Sequence, residues 1–547
     1  MNITSNNMEF AMRLIPKVFI VSFFLMIYLF NGDLYSQQFN NYLLYPSTIS
    51  QTEPVIVNHP FEQNTIFVSA NTIRFYPFFV SEGVYLSQDG GVSWSGSDTC
   101  KGEYINFHGG DPSIAITKSG RFILSRLGRY PFVGLYVHTS DDRGATWSFQ
   151  KQINDHDLER AVIVADNFQS SPFFGRVYAF WVRFNPPYAM YFSYSDDDGV
   201  NWSQPQQINN PVQRCAGGDV AIGKNGEIFV TWAVVSSTSP FYEQFIGFAK
   251  STNGGSSWIV TEKAFQVNGI QGMLPEKQNI RVNGLPAIVV DTSGGTRDGW
   301  LYIVTSQKNF GAAGNDPDII LYRSTDGGNN WSNPVRVNQD ELNNGKIQYF
   351  PALCIDKFGG LNVLYYDDRL TTSDSVGVFL SRSTDGGITF SDFQVSDHNF
   401  KPVAIGGLGQ GYQGDLIALS SSENFLIPVW MDNKTGIYQL WTTRININRL
   451  VNVETGDLDF FSFELQQNFP NPFNSETQIG FEIPESNLTS LKVYDLLGRE
   501  IKTLVNEILQ KGSYSIKFSA AALSSGIYIY ELKSGKFRSM KKMIYLK

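Results

Sequence analysis

The stretch Ser195-Asp-Asp197-Asp-Gly199-Val-Asn-Trp202 reads as a tight turn joining two strands. Gly199 admits the positive φ such a turn needs. Ser195 and Asp197 offer oxygens to nearby backbone N–H groups and hold the turn. Trp202 brings a large apolar surface to bury against a sheet. The pattern Ser-x-Asp-x-Gly-x-x-Trp returns at Ser87, Asp89, Gly91 and Trp94, at Ser140, Asp142, Gly144 and Trp147, and at Ser324, Asp326, Gly328 and Trp331. Two copies deviate at one position: Ser251, Asn253, Gly255 and Trp258 carry Asn for Asp, and Ser383, Asp385, Gly387 and Phe390 carry Phe for Trp. The serines lie 53, 55, 56, 73 and 59 residues apart, a period that marks an array such as a propeller. One turn-fixing role accounts for every residue type, so these residues are read as structural and no metal site is expected.

Each motif sits inside a larger unit. An apolar first strand precedes it, as in Glu53-Pro-Val-Ile-Val57, Asp111-Pro-Ser-Ile-Ala-Ile116 and Asp219-Val-Ala-Ile222. A second strand follows, a third runs into the motif and a fourth leaves it, which makes one propeller blade. Seven first strands are visible against six motifs. The last unit, Asp415 to Ile447, lacks a fourth strand, and Tyr42-Leu-Leu-Tyr-Pro46 has no other partner. That segment is expected to close the ring and remove the open edges. The fold class is therefore all-β: a seven-bladed propeller over residues 38–447, with six blades as the alternative, followed by a small Ig-like β-sandwich.

The repeated motif resembles the Asp-box, or bacterial neuraminidase repeat, of the sialidase superfamily. The C-terminal segment has its own signature: Asn468-Phe-Pro-Asn-Pro-Phe-Asn474, Tyr494-Asp-Leu-Leu-Gly-Arg499, Ser525-Gly-Ile-Tyr528 and the basic pair Lys541-Lys542. It closely resembles the type A C-terminal sorting domain of type IX secretion cargo. The resemblance covers residues 464–547 and implies export across both membranes by way of the periplasm. Residues 448–463 read as a linker. At the other end, Arg13 and Lys17 precede the apolar run Val18 to Phe30, and small Ser36 offers a cleavage point. Residues 1–36 are thus expected to be a Sec signal peptide. The protein should end up secreted or on the outer cell surface, with the type IX machinery as its partner.

Composition narrows the rest. The 547 residues hold 14 % aromatic and 17 % charged residues, which suits half-buried sheets and excludes a mainly disordered chain. A net charge of −9 excludes wholesale nucleic-acid binding. Three Cys and five His exclude a disulfide scaffold or a zinc ribbon. No cofactor is expected, and the chain should be a monomer.

The motifs occupy one rim of the propeller, so the longer loops occupy the other, where binding residues concentrate. That rim should collect Arg74, Arg126, Arg129, Arg183, Arg369, Tyr412, Asp415 and Asp432. Arginines recognise carboxylates, and aromatic faces stack on sugar rings. The first-strand acids Glu53, Asp111, Asp219 and Asp415 have a second reading, as caps on backbone N–H groups in the central channel. Sialidases use an Arg triad, a Tyr–Glu pair and an Asp. The nearest start of that pattern, Thr72-Ile-Arg74-Phe-Tyr-Pro77, lacks the spacing, so no triad transfers. Gly411-Tyr-Gln-Gly-Asp415 with Pro428-Val-Trp-Met-Asp432 looks like the terminal blade of secreted Asp-box proteins loosely called exo-sialidases. The preferred reading is a propeller that binds extracellular glycan or protein. The alternative is an exo-sialidase-like glycoside hydrolase whose catalytic residues the sequence does not identify.

Overall fold

Runs such as Ile228–Val235, apolar and rich in β-branched residues, are buried on both faces and form strands packed between neighbouring sheets. The computed structural model describes residues 39–75, 78–100, 108–450, 463–521 and 523–547. The expected signal peptide and most of the linker lie outside the described residues. The chain is all-β. No helix among the described residues is long and apolar enough to cross a membrane.

Among the described residues, antiparallel four-stranded sheets follow one another along the chain. The first comprises Ser50–Asn58, Ile66–Phe75, Phe78–Ser87 and Ser95–Ser97, and the second His108–Ile116, Phe122–Gly128, Gly134–Ser140 and Lys151–Asn154. The third comprises Leu158–Ala165, Val177–Arg183, Met190–Ser195 and Gln206–Gln207. The fourth runs through Cys215–Ile222, Ile228–Val235, Glu243–Ser251 and Ile259–Gln266. The fifth holds Ala287–Val290, Leu301–Gln307, Asp318–Ser324 and Val335–Arg336. The sixth holds Gln348–Ile355, Leu361–Asp367, Gly377–Ser383 and Ser391–Gln394. A last sheet pairs Ala418–Ser421, Phe425–Asp432 and Gln439–Thr442 with Tyr42–Leu43, in the register Tyr42↔Thr442 and Leu43↔Trp441. First strands of successive sheets pack on one another, and that of the last sheet packs on that of the first. They line a central channel of about 240 Å³. The arrangement is that expected of a propeller.

The repeated motif has one geometry. In all six copies the serine Oγ donates to the Asp or Asn carboxyl or amide oxygen at 2.8–3.0 Å. The glycine N–H donates to that serine at 2.7–2.9 Å. The residue before the aromatic, always Ser, Thr or Asn, donates its N–H to the same acid or amide. The glycines all have φ between 79 and 90°, and at Gly199, Gly255, Gly328 and Gly387 a side chain would also strike the preceding sheet. A Cβ on Gly328 would lie 2.2 Å from Phe248, and one on Gly387 would lie 2.4 Å from Leu321.

The motif aromatic reaches back to the preceding sheet. Trp147 stacks on Phe67 at 5.9 Å, Trp258 meets Phe192 at 5.2 Å, and Trp331 meets Phe248 at 5.3 Å. Trp147 and Phe390 are buried, whereas Trp94, Trp202, Trp258 and Trp331 are half-buried. The motif therefore seals the seam between sheets.

The C-terminal segment forms two antiparallel sheets, one of Glu464–Leu465, Glu476–Ile483 and Gly512–Ser519, the other of Glu500–Leu509, Asn487–Tyr494, Gly526–Ser534 and Phe537–Tyr545. They share a core of their own that includes Phe481, Val493, Tyr530 and Met543.

Candidate functional site

Five first strands carry a β-bulge at their start, and each puts a left-handed residue there. These are Glu53 (φ 54°), Asp111 (53°), Arg160 (35°), Gly217 (53°) and Phe350 (54°). Left-handed backbone costs a residue with a Cβ about 1 kcal/mol. The device re-aims the side chain at the end of the strand, and the fold carries it with charged residues in three consecutive sheets. Strain retained in this way marks a place to look for function.

The bulges bring Glu53, Asp111 and Arg160 together at one mouth of the channel, beside Asp415. Glu53 is buried, and its carboxylate accepts from Asn71 Nδ2 at 2.7 Å. The same amide nitrogen lies 3.2 Å from the Tyr412 hydroxyl, and Asn71 Oδ1 accepts the Asp111 N–H at 2.8 Å. The carboxyls of Glu53 and Asp111 stand close enough to influence each other's ionisation. Burial first, and then Asp111 for Glu53 and Asp415 for Asp111, push both above the usual carboxylate range. Burial likewise raises the Tyr412 phenol, with Glu53 adding to the effect.

Arg281 completes the mouth. It arrives from the crossing between the fourth and fifth sheets, where Gly272–Leu274 and Ile280–Val282 form a hairpin. Its N–H donates to the Gly411 carbonyl at 2.8 Å. Its guanidinium grips Asp415 through two nitrogens and lies 5.4 Å from the Tyr412 ring centre. Burial opposes its charge, but Asp415 outweighs that and raises its pKa. Both side chains of this pair keep about a quarter of their surface in solvent. Lys277, in the tip of the same hairpin, is fully buried against Asp368 at 2.5 Å and anchors the hairpin to the sixth sheet.

The expected site residues divide. Tyr412 and Asp415 stand at this mouth. Arg74 and Arg129 are exposed at the turns of the first and second sheets. Arg183 is half-buried, 5.7 Å from the Tyr191 ring. Three expectations of a ligand-facing side chain are corrected. Arg126 is fully buried and donates to His138 Nε2 at 3.1 Å and to the Leu127 carbonyl at 3.2 Å, besides Gln150. Arg369 is spent on Asp367 and Asp392 and packs over Phe379. Asp432 is fully buried and accepts from Trp430 Nε1 at 3.0 Å, with His398 Nε2 at 3.1 Å.

Among the first-strand acids, the capping role holds for Asp219, which accepts the N–H groups of Val220 and Ile288 at 2.9 Å each. The sequence reading missed Asn71 and Arg281. The 73-residue interval between motif serines, the longest of the five, was the available signal for the inserted hairpin.

Comparison with known proteins gives two results. Residues 467–546 match the family model for the secretion system C-terminal sorting domain. The chain thus carries a type IX sorting tail, as its motifs implied, and is exported by that system to the cell surface or the extracellular space. Among solved structures, an ulvan lyase of polysaccharide lyase family PL25, bound to -[GlcA(1-4)Rha3S]-, is similar at 11 % identity. That alignment covers 74 % of this chain and 96 % of the other, with a TM-score of 0.49. The leech intramolecular trans-sialidase is similar at 12 % identity over 66 % and 70 % (TM-score 0.41), and the Penicillium chrysogenum α-L-arabinanase at 14 % over 63 % and 97 % (TM-score 0.41). No curated protein matches the chain.

Proposed function

We propose that the protein is a secreted Asp-box propeller of seven blades that binds an extracellular glycan at the mouth built by Glu53, Asp111, Arg281, Tyr412 and Asp415. Residues 38–447 form this propeller, residues 448–463 link it to an Ig-like sorting domain at 464–547, and a Sec signal at 1–36 starts the export. The closed succession of first strands and the pairing of Tyr42–Leu43 support the blade count.

One observation carries the binding reading: strained bulges hold hydrogen-bonding and charged groups at the end of a channel. Carboxyls and a tyrosine accept and donate to sugar hydroxyls, and the partly exposed Arg281 adds a cation for an acidic sugar. A glycan array probed with the full-length mature chain tests this. Binding that falls in Glu53→Gln and Arg281→Ala is the expected result. Binding to no glycan, or binding indifferent to both substitutions, would refute it.

Two neighbouring carboxyls, Glu53 and Asp111, both raised by burial at the mouth, favour a second reading, glycoside cleavage. A carboxyl raised toward neutral pH can serve as general acid for a leaving glycosidic oxygen. Turnover of fluorogenic glycosides that is lost in Asp111→Asn would establish it, and absence of turnover leaves a binding propeller.

A further inference from the structure

On the same rim as the mouth, three consecutive sheets carry matching turns. The turn between the second and third strands closes from residue i to i+3, and an aromatic always stands at the fourth place. Phe132 N–H donates to Arg129, Tyr188 to Asn185 and Phe241 to Thr238, at 2.7–2.8 Å. Each turn holds a proline just before, or within two residues of, that aromatic.

Tyr188 and Phe241 are left-handed, at φ 59 and 67°. For bulky residues this is an outlier that only a specific demand maintains. Both rings, with Phe184, surround one guanidinium: Arg214 lies 4.6 Å from Phe184, 4.7 Å from Tyr188 and 4.6 Å from Phe241. The next residue, Tyr242, is 42 % exposed and has Lys308 of the fifth sheet at 4.6 Å. Two ring–cation groups thus stand on this rim, one around Arg214 between the third and fourth sheets and one, Tyr242 with Lys308, reaching the fifth.

This platform joins the mouth through Glu243, which follows Tyr242. Its buried carboxylate accepts the N–H groups of Gln271 at 3.1 Å and Gly284 at 2.7 Å. It thus holds both ends of the crossing that delivers Arg281.

We infer that this arc is a platform for an anionic polysaccharide chain, whose end enters the channel mouth. Resting on the glycan reading above, the inference names its ligand class. Sugar rings present an apolar C–H face to an aromatic, and uronate or sulfate groups pair with interleaved cations. A protein partner would instead call for a contiguous apolar core with charges at its rim. Glu243, the acid next to Tyr242 in sequence, turns both carboxylate oxygens to the N–H groups of the crossing.

Isothermal titration of the full-length mature chain with polygalacturonate, its disaccharide and neutral dextran tests the inference. Polygalacturonate should bind about tenfold more tightly than the disaccharide, weaken with added salt, and outcompete dextran. Phe241→Gly and Tyr242→Ala should remove most of that advantage while leaving disaccharide binding unchanged, and melting curves check that both remain folded, glycine accepting the left-handed turn. Disaccharide binding with no gain on lengthening, equal affinity for dextran, or indifference to both variants would overturn the platform and leave the mouth intact. Binding to none of the three overturns the platform here, and the glycan array then decides the mouth separately.

Discussion

His138 offers a quantitative test of how the rim beside the second sheet is held. Its ring is fully buried, with Nε2 accepting from Arg126 Nε at 3.1 Å and Nδ1–H donating to the Ser148 carbonyl at 3.0 Å. A second proton would have to sit on Nε2 and face a guanidinium. Burial, and then Arg126, hold the imidazole down to about 4 from the ordinary 6.5. The folded-state value lies below the unfolded one, so this stability is complete above the ordinary value and is lost as pH falls toward the folded one. The loss is about 2 kcal/mol by pH ~5 and about 3 kcal/mol by pH ~4. His138→Gln keeps an acceptor for Arg126 and takes up no proton. Urea unfolding followed by tryptophan fluorescence should show the wild type's margin over this variant shrinking by about 2 kcal/mol between pH ~7.5 and ~5. Margins that stay constant over that range would refute the reasoning.

Trp147→Ala should cost about 3–5 kcal/mol as a buried ring leaves the seam against Phe67, and half-buried Trp331→Ala should cost less; melting curves read both. Lys277→Ala strands the buried Asp368 carboxylate, and about 3–5 kcal/mol should be lost. Much of it should return in the Lys277→Met, Asp368→Leu double variant, and no recovery would count against burial as the cause. Gly328→Ala meets a φ of 87° and the Phe248 ring together, so it should destabilise by more than about 1 kcal/mol in the same melting assay.

The repeat was legible because its chemistry is local. A serine, an acid, a glycine and an aromatic at fixed spacing describe a turn that closes on itself, and the six copies share one hydrogen-bond pattern. The sorting domain was legible for a similar reason, since several short motifs follow in order over residues 467–546. The site was less so. Strands such as Phe122–Gly128 lie between sheets and bury both faces, so alternation does not tell a buried Arg126 from a solvent-facing arginine. Arg369 and Asp432 stand at strand ends where a ligand could reach, yet partners distant in sequence, Asp392 and His398, claim them. Arg281 reaches the mouth only because an inserted hairpin folds back across the rim, which no local pattern records. The acids at Glu53 and Asp111 were visible as first-strand starts. What brings them together is a bulge and a left-handed residue before a proline, and neither is readable from residue type.

The central claim is that the strained mouth at Glu53, Asp111 and Arg281 takes the ligand. Its most direct test is isothermal titration of the full-length chain with the strongest array glycan, comparing wild type with Glu53→Gln at matched stability. The account predicts that Glu53→Gln melts no lower than wild type, because a buried carboxylate pushed above its usual range is removed, and binds at least about tenfold more weakly. Undiminished affinity in this variant would contradict it.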